Sequence, residues 1–460
     1  GCDDCEYFWW CDGWGTLCDS HIKKEYVMEN SKIHKKINMK DKKNTRFVII
    51  GAGAAGLTAA SSLHDQGYEN IVILERETRA GGKCSTVNID GKNYELGAGM
   101  IAESDATVMQ LVKKYDIKLK RVEFGKSMVV RGKDNLARKK RSVRETLKLT
   151  KQVLINYRAV HKKYSHLTKP GFSNIDHEEL SIPFAQFAKK YKFEALASEL
   201  ELSHTGFGYG YFSDVPAAYV LKYYSWNTMM SFIKQRMYFF PDGTEQLWTK
   251  VAQDFDGMYG SIIESVVRDT NVSITIRNQE TGNIKTMIYD KLIVTSPLDE
   301  LLSFIDGTPD EQKLFNKIKH VDYRTVACEL SGFPKMTGYV PDNFSPSRAG
   351  HPVFWYHRHY DSDTYTFYVL ASGDNMNNDI ITKYISDFVG SMNGTVQRVH
   401  IIKHWKYFPH VSSDIFKSGF YDKLEAIQGQ HNTYYAGELM NFSTVGLTSD
   451  YAYNLIKKNF

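Results

Sequence analysis

From residue 46 onward the chain alternates between short unbroken apolar runs and stretches in which an apolar residue returns every three or four positions. Phe47–Ile50 is an apolar run, the pattern of a parallel strand buried on both faces. Leu57–Leu63 reads as a helix, Ile71–Leu74 as a second buried strand, and Val108–Tyr115 as a further helix. Leu180–Arg236 has mostly helical spacing. Within it, glycines alternate with aromatics in Phe207-Gly-Tyr-Gly-Tyr-Phe212, which predicts a helix break lined by rings. The period then shortens. Ser261–Thr286 alternates as strands do, Tyr289–Pro297 is an apolar strand ending in a turn, and strands are predicted at Val326–Leu330, Val353–His357, Tyr365–Leu370 and Val399–Tyr407. Thr433–Glu438 is a last strand and Thr444–Ile456 a closing helix. Residues 1–45 read as an extension: a cysteine-rich start, then a polar, lysine-rich arm over His21–Asn44, outside the core.

The turn between the first strand and the first helix carries chemistry. Gly51, Gly53 and Gly56 stand in G-x-G-x-x-G spacing with Ala55 among them, and Glu75 closes the second strand 19 residues beyond Gly56. Gly51 permits the tight turn, Gly53 lets the backbone approach a pyrophosphate, and Gly56 lets helix pack close on strand. The helix N-terminus offers N–H groups and positive dipole to phosphate. Glu75 can accept a hydrogen bond from a ribose hydroxyl. Set between strand and helix, the motif predicts a bound dinucleotide; by itself it does not choose NAD over FAD.

At 460 residues the chain has room for two or three domains with real cores. Its aromatic content is high, 13% with 29 Tyr and 25 Phe, which suits either a large core or an aromatic-lined cavity for an apolar ligand. A net charge of +5 is mild for this size and predicts no nucleic-acid partner. No stretch of 18 apolar residues exists, so no membrane span is predicted. The body of the chain shows no His/Asp/Ser constellation and no metal-ligand cluster.

Cys2, Cys5, Cys11 and Cys18 are crowded at the start, while Cys84 and Cys328 stand alone. The crowded four fit a structural zinc site or two disulfides. Disulfides are the expectation, since the chain opens on Gly1 as a processed, secreted or organelle-lumen protein would. Sequons occur at Asn271, Asn343, Asn393 and Asn441. Pro346 follows the second closely and the fourth falls in an expected cofactor loop, which leaves Asn271 and Asn393 as glycan candidates.

Lys133–Lys163 is strongly basic, with Arg138, Lys139, Lys140, Arg141, Arg144, Lys148 and Lys151, and Val143, Leu147, Leu154 and Tyr157 fall near one helical face. Two readings stand: a solvated charged helix, or an amphipathic helix in transient contact with an anionic membrane surface.

Other segments bear a family resemblance. Arg79-Ala-Gly-Gly-Lys-Cys-Ser-Thr86 and Tyr94-Glu-Leu-Gly-Ala98 resemble the second phosphate and flavin segment of the amine-oxidase-like FAD superfamily, which points to Gly82, Lys83, Gly97 and Ala98 as cofactor contacts. Phe240–Leu247 resembles the glycine turn that returns the chain to the flavin, and Val266 sits where that superfamily contacts adenine. Ala436-Gly437-Glu438, Thr444 and Val445 match the start of its last helix, whose dipole favours negative charge on reduced flavin. Within the superfamily, Phe207–Phe232, Gly338–His351, Trp405–Ser413 and Asn432–Phe442 resemble the FAD-containing polyunsaturated fatty acid isomerases, and together the resemblance spans nearly all of residues 46–460.

The resemblance implies an α/β fold. Its Rossmann-like FAD domain comprises residues 46–125, 242–302 and 425–460, with a helical channel domain at 126–241 and a mixed-sheet substrate domain at 303–424. It implies a redox-neutral shift of methylene-interrupted double bonds in free fatty acids of the linoleate, arachidonate and eicosapentaenoate class, giving conjugated dienes or trienes. Flavin N5 takes the hydride and returns it two carbons away, so no side chain is expected to be catalytic. Phe207 corresponds to a channel gate, Phe232 to an aromatic near the carboxylate, and Arg121 to the arginine that pairs with it. Tyr209 and Arg358 are further substrate candidates; Tyr211, Tyr356 and His357 are expected to bridge sheet to helix, the alternative being a hydrogen bond to a substrate head group, and Trp405 and His410 are expected to shape the pocket. The competing activity is a flavin amine oxidase, dependent on oxygen and forming peroxide. Preferred polyene, covalency of FAD and oligomeric state are left open by the sequence.

Overall fold

The apolar run at the start of the first predicted unit becomes β1 (Arg46–Ile50), the centre of a parallel sheet. The computed structural model describes residues 39–122, 127–132, 134–137, 142–371 and 376–460. Cys2, Cys5, Cys11, Cys18 and the basic run Arg138–Arg141 lie outside the described residues. β2 (Asn70–Leu74) pairs with one edge of β1, in register Val48 to Val72. Sheets buried on both sides read as continuous apolar runs, and here Phe47, Val48 and Ile49 are fully buried. Between these strands runs α1 (Ala54–Asp65).

A hairpin, β3 (Thr86–Ile89) and β4 (Lys92–Glu95), follows. β5 (Met100–Ala102), α2 (Ala106–Lys114) and β6 (Lys120–Arg121) come next, then β7 (Ser127–Arg131) and β8 (Asp134–Ala137). The helical layer contains α3 (Val143–Lys151), a widened turn at Gln152–Tyr157, α4 (Arg158–Lys163), α5 (Phe184–Lys190), α6 (Glu194–Gly206), α7 (Ala217–Tyr223) and α8 (Trp226–Ile233). β9 (Met237–Phe239) returns to pair with both β5 and β6.

After α9 (Glu245–Ala252), β10 (Asp256–Met258) joins the outer edge of β2. β11 (Ser261–Arg268), β12 (Val272–Asn278) and β13 (Ile284–Tyr289) form an antiparallel sheet of their own. β14 (Lys291–Val294) pairs with the other edge of β1. Much later β20 (Thr433–Tyr435) pairs with β14, so the parallel sheet has the order β10-β2-β1-β14-β20. The last helix, α11 (Val445–Asn459), packs along α1.

Between them stands a seven-stranded mixed sheet of order β19-β15-β18-β17-β16-β7-β8. Its remaining strands are β15 (Lys319–Ser331), β16 (Thr337–Tyr339), β17 (Pro352–Tyr356), β18 (Thr364–Ala371) and β19 (Thr395–His410). β15 and β19 extend past the segments Val326–Leu330 and Val399–Tyr407, because polar ends such as Ser331 and Thr395 still pair across the ladder. Strand alternation gives the sheet two different faces. Val326, Cys328, Phe367 and Val369 pack against α10 (Asn378–Ser391). Tyr323, Phe354, Tyr368 and Trp405 belong to an aromatic cluster on the other face. The fold is α/β, as expected.

Candidate functional site

Two glycine turns meet back to back at the C-terminal end of the parallel sheet. Gly51 has φ +106°, in the left-handed region, and a Cβ there would lie 2.6 Å from Thr295 Oγ1. A Cβ on Gly56 would lie 1.9 Å from the Gly51 carbonyl oxygen, so helix and strand approach only because that side chain is missing. The second turn comes from Gly81-Gly82: Gly81 N–H donates to Ala52 O at 2.8 Å, and a Cβ on Gly82 would lie 3.1 Å from Gly53 Cα. No side chain caps the N-terminus of α1, which leaves its first turn to a phosphate. At the end of β2 the Glu75 carboxylate accepts from Ala52 N at 2.7 Å and Glu77 N at 2.8 Å, so it is fixed with lone pairs to spare. The donor set and the space vacated by absent side chains fit a dinucleotide.

Further along the cradle, Lys83 Nζ donates to both carboxylate oxygens of Glu438 at 2.9 Å. A Cβ on Gly97 would lie 1.8 Å from the Lys83 carbonyl oxygen, Ala98 N–H donates to that oxygen at 3.1 Å, and Trp405 Nε1–H donates to Leu96 O at 2.6 Å. Here Lys83, Ser296, His320, Gly437, Glu438 and Met440 line a cavity of about 50 Å³. Burial pushes the His320 imidazole down to about 4, so it stays neutral at ordinary pH. Thr444 caps α11, its Oγ1 accepting from Leu447 N at 3.1 Å, and Val445 opens the helix.

Val266 needs correction as an adenine contact. It is 1% exposed, its N–H donates to Phe304 O at 2.7 Å, and its carbonyl accepts from Asp306 N at 3.1 Å. It holds β11 on the 304–306 turn and has no free edge to offer. Three residues earlier, Ile263 is half-buried where the β11–β12 register slips, close to Ser261, whose N–H donates to Glu75 O at 2.9 Å. Ile263 is two residues from the contact of β11 with Glu75, and Val266 is five.

The Phe207–Phe212 segment does break a helix. Phe207 caps the end of α6, and Gly208 (φ +89°) lays its backbone on the Tyr323 ring, where a Cβ would come within 2.8 Å. Tyr323 Oη–H donates to Gly206 O at 2.9 Å, so strand and turn hold each other. Around this contact the rings form a box. Phe207 meets Phe354 edge-on at 5.4 Å, Tyr407 stacks between Tyr209 (5.5 Å) and Tyr323 (5.1 Å), and Phe442 packs on Tyr209 at 4.8 Å. Lys83 Nζ lies 5.5 Å from the Tyr407 ring centroid, which joins the box to the cradle. Burial holds the hydroxyls of Tyr209, Tyr323 and Tyr407 well above the ordinary phenol range. The box therefore presents neutral rings and hydroxyls.

The remaining expected residues are placed differently. Arg358 Nη1 donates to Glu95 Oε1 at 3.0 Å and Nη2 to Phe240 O at 2.7 Å, the pair being 5% and 2% exposed. Its guanidinium thus ties β17, β4 and the 240–244 turn together instead of facing a ligand. His357 likewise stacks on Tyr365 at 4.5 Å and bonds Ser362 O at 2.9 Å. Tyr211 and Tyr356 are half-buried beside the aromatic cluster, and His410 stacks on Phe408 at 4.8 Å. Arg121 is exposed on β6, opposite Tyr238 of β9, and Phe232 on α8 lies 6.3 Å from Tyr224. Asn271 and Asn393 are both exposed. Cys84 and Cys328 are free and buried. Tyr323, Phe354, Tyr407 and Phe442 were missed as box residues: Tyr407 and Phe442 lie in the segments that carry the resemblance but had no role assigned, and Tyr323 and Phe354 have no local signal beyond being aromatic.

The fold and the glycine cradle define a flavin-dependent enzyme class, and the comparisons place the chain within it. The family model of the flavin containing amine oxidoreductases matches residues 54–438, and the chain belongs to that family. A solved structure described as a CLA-producing fatty acid isomerase from P. acnes is 32% identical, with a TM-score of 0.83 over 91% of this chain and 99% of that one. Among sequence relatives, the FAD-dependent oxidoreductase oblC of Cochliobolus heterostrophus is 23% identical over 85% of this chain and 86% of its own. Beta-cyclopiazonate dehydrogenase of Aspergillus flavus is 25% identical over 87% and 90%. A putrescine oxidase, 12% identical with a TM-score of 0.64, shares the fold. The cofactor is FAD, and the protein is a flavin enzyme. No helix among the described residues is long and apolar enough to cross a membrane.

Proposed function

We propose that this flavin enzyme isomerises methylene-interrupted polyunsaturated free fatty acids to conjugated dienes or trienes, with no net oxidation. The observation that carries the reading is the box: neutral aromatic rings in contact with the cradle through Lys83 and Tyr407. An acyl chain needs apolar walls, and a conjugating shift needs no side chain with a pKa near neutrality. The likeness to a protein described as a CLA-producing fatty acid isomerase supports the same substrate class. Bound FAD supplies a hydride acceptor that can also give the hydride back, so no second substrate is required.

The protein's part is to hold and to exclude. Phe207, Tyr209 and Tyr407 grip the chain by apolar contact and keep water from the reacting carbons. Gly51, Gly53, Ala55, Gly56 and Glu75 hold the adenosine and pyrophosphate, with Gly82, Lys83, Gly97, Ala98, Gly437, Glu438, Thr444 and Val445 toward the flavin. Arg121, exposed on its edge strand, is the carboxylate partner, and Phe232 is the aromatic that helps hold the carboxylate end.

The test is anaerobic incubation of the yellow holoprotein with linoleate, arachidonate and eicosapentaenoate under ultraviolet scanning. A conjugated-diene or triene band should grow without oxygen and without lasting bleaching of the flavin. Peroxide formed only from amines in air, with no such band, would sink the proposal and leave an amine oxidase.

A further inference from the structure

We propose that the outer face of residues 143–158 is a docking surface for an anionic lipid bilayer. None of the nine residues of α3 is buried. A helix that short is marginal in water unless something covers it, yet this one is carefully started: Ser142 Oγ accepts from Glu145 N, and the Glu145 side chain returns to Ser142 N at 2.8 Å. Val143 is 77% exposed and Leu147 65%. The widened turn that follows then shifts the register and sets Leu154 (51%) and Ile155 (59%) outward. Four of the ten large apolar side chains exposed among the described residues thus fall within thirteen positions, a patch and not a scatter.

The inner face of the same segment is tightly held. Gln152 Oε1 accepts from Leu196 N at 2.8 Å, and Tyr157 Oη–H donates to Tyr224 O at 2.8 Å. The outward apolar row is therefore presented by an anchored element. Around it Arg144, Lys148, Lys151 and Arg158 are all exposed. Apolar side chains that insert among acyl chains, bordered by cations that meet lipid phosphates, are the requirement for an in-plane membrane helix. A second copy of the chain is disfavoured, because a two-fold pairing would set these cations against themselves. The surface stands on exposure and charge, independently of which substrate the enzyme takes.

The experiment is flotation of holoenzyme with vesicles of phosphatidylglycerol and phosphatidylcholine, or of phosphatidylcholine alone, at low and high salt. Holoenzyme should float with the anionic vesicles, stay behind with the neutral ones, and be released by salt. Leu147→Asp with Leu154→Asp, and separately Lys148→Glu with Lys151→Glu, should each weaken binding at least about tenfold. Retained flavin absorbance reports that the variants are folded, and their activity on dissolved fatty acid should be unchanged. Failure to float with anionic vesicles, or variants that float like the parent, would overturn the proposal. So would light scattering that shows a dimer split by Leu147→Asp.

Discussion

The cradle and the aromatic box are built on opposite principles. The cradle exists because side chains are missing: at Gly56 and Gly97 a single Cβ would land within 2 Å of a carbonyl oxygen. The box exists because side chains are in excess, with rings of Phe207, Tyr209, Tyr323, Tyr407 and Phe442 filling one another's faces and edges. A backbone-lined site tolerates almost no substitution and recognises what all its ligands share. A ring-lined site can be repacked and decides which ligand fits. The two can therefore be broken separately. The largest effect is expected at Gly56→Val, whose side chain has no room at all. The purified variant should be colourless, without the flavin band near 450 nm that a bound flavin gives. A yellow variant would show that the turn can open and that the close approach is not required.

Next in size is the strut between the two regions. Arg358→Met leaves Glu95 buried without its cation, a class of change that costs about 3–5 kcal/mol. A clear fall in melting temperature should result, while KM for a fatty acid, measured well below that temperature, should hardly move. A raised KM with unchanged stability would return Arg358 to the substrate site. Gly208→Ala should follow at about 1–3 kcal/mol, since it combines a positive φ with a clash against Tyr323. It should keep its flavin and lose turnover. Loss of both together would mean that box and cradle are one unit.

This contrast also explains what the sequence could show. The cradle was legible because its constraint is local: Gly51, Gly53, Gly56 and Glu75 sit within 25 positions, each forced by its neighbours. The strands were legible too, since an apolar run announces a buried strand wherever its partners lie. The box was legible only in part. Phe207 and Tyr209 stood out by their glycines, but Tyr323, Tyr407 and Phe442 reach them through sheet pairing and the return of the chain near its end, which no local pattern encodes. Arg358 illustrates the same limit. Its partner Glu95 is 263 positions away, so an arginine beside a histidine and a tyrosine looked free to bind a ligand. Val266 was expected from the resemblance alone, which does not show that its backbone is taken by the 304–306 turn.

The smallest effect sharpens the comparison electrostatically. The box holds hydroxyls that stay neutral, whereas the cradle side holds a carboxyl that titrates. Asp105 lies under the first turn of α11: a Cβ on Gly446 would come within 2.3 Å of its Oδ1, and its Oδ2 accepts from Ala102 N at 2.8 Å. Burial pushes this carboxyl up to about 7, against the pull of the Ala102 hydrogen bond and with added repulsion from Asp450. A folded pKa raised above the unfolded value favours the folded state most at acid pH, and that advantage is lost as pH rises through about 7. Asp105→Asn keeps an oxygen for Ala102 N–H and removes the titration. The melting temperature of the variant should therefore gain on the parent by a few degrees between about pH 4, where the unfolded carboxyl ionises, and about pH 7, and the gain should level off above that, once the buried carboxyl ionises as well. A difference flat across that range would mean that Asp105 keeps an ordinary carboxylate pKa and that α11 begins over a fixed charge.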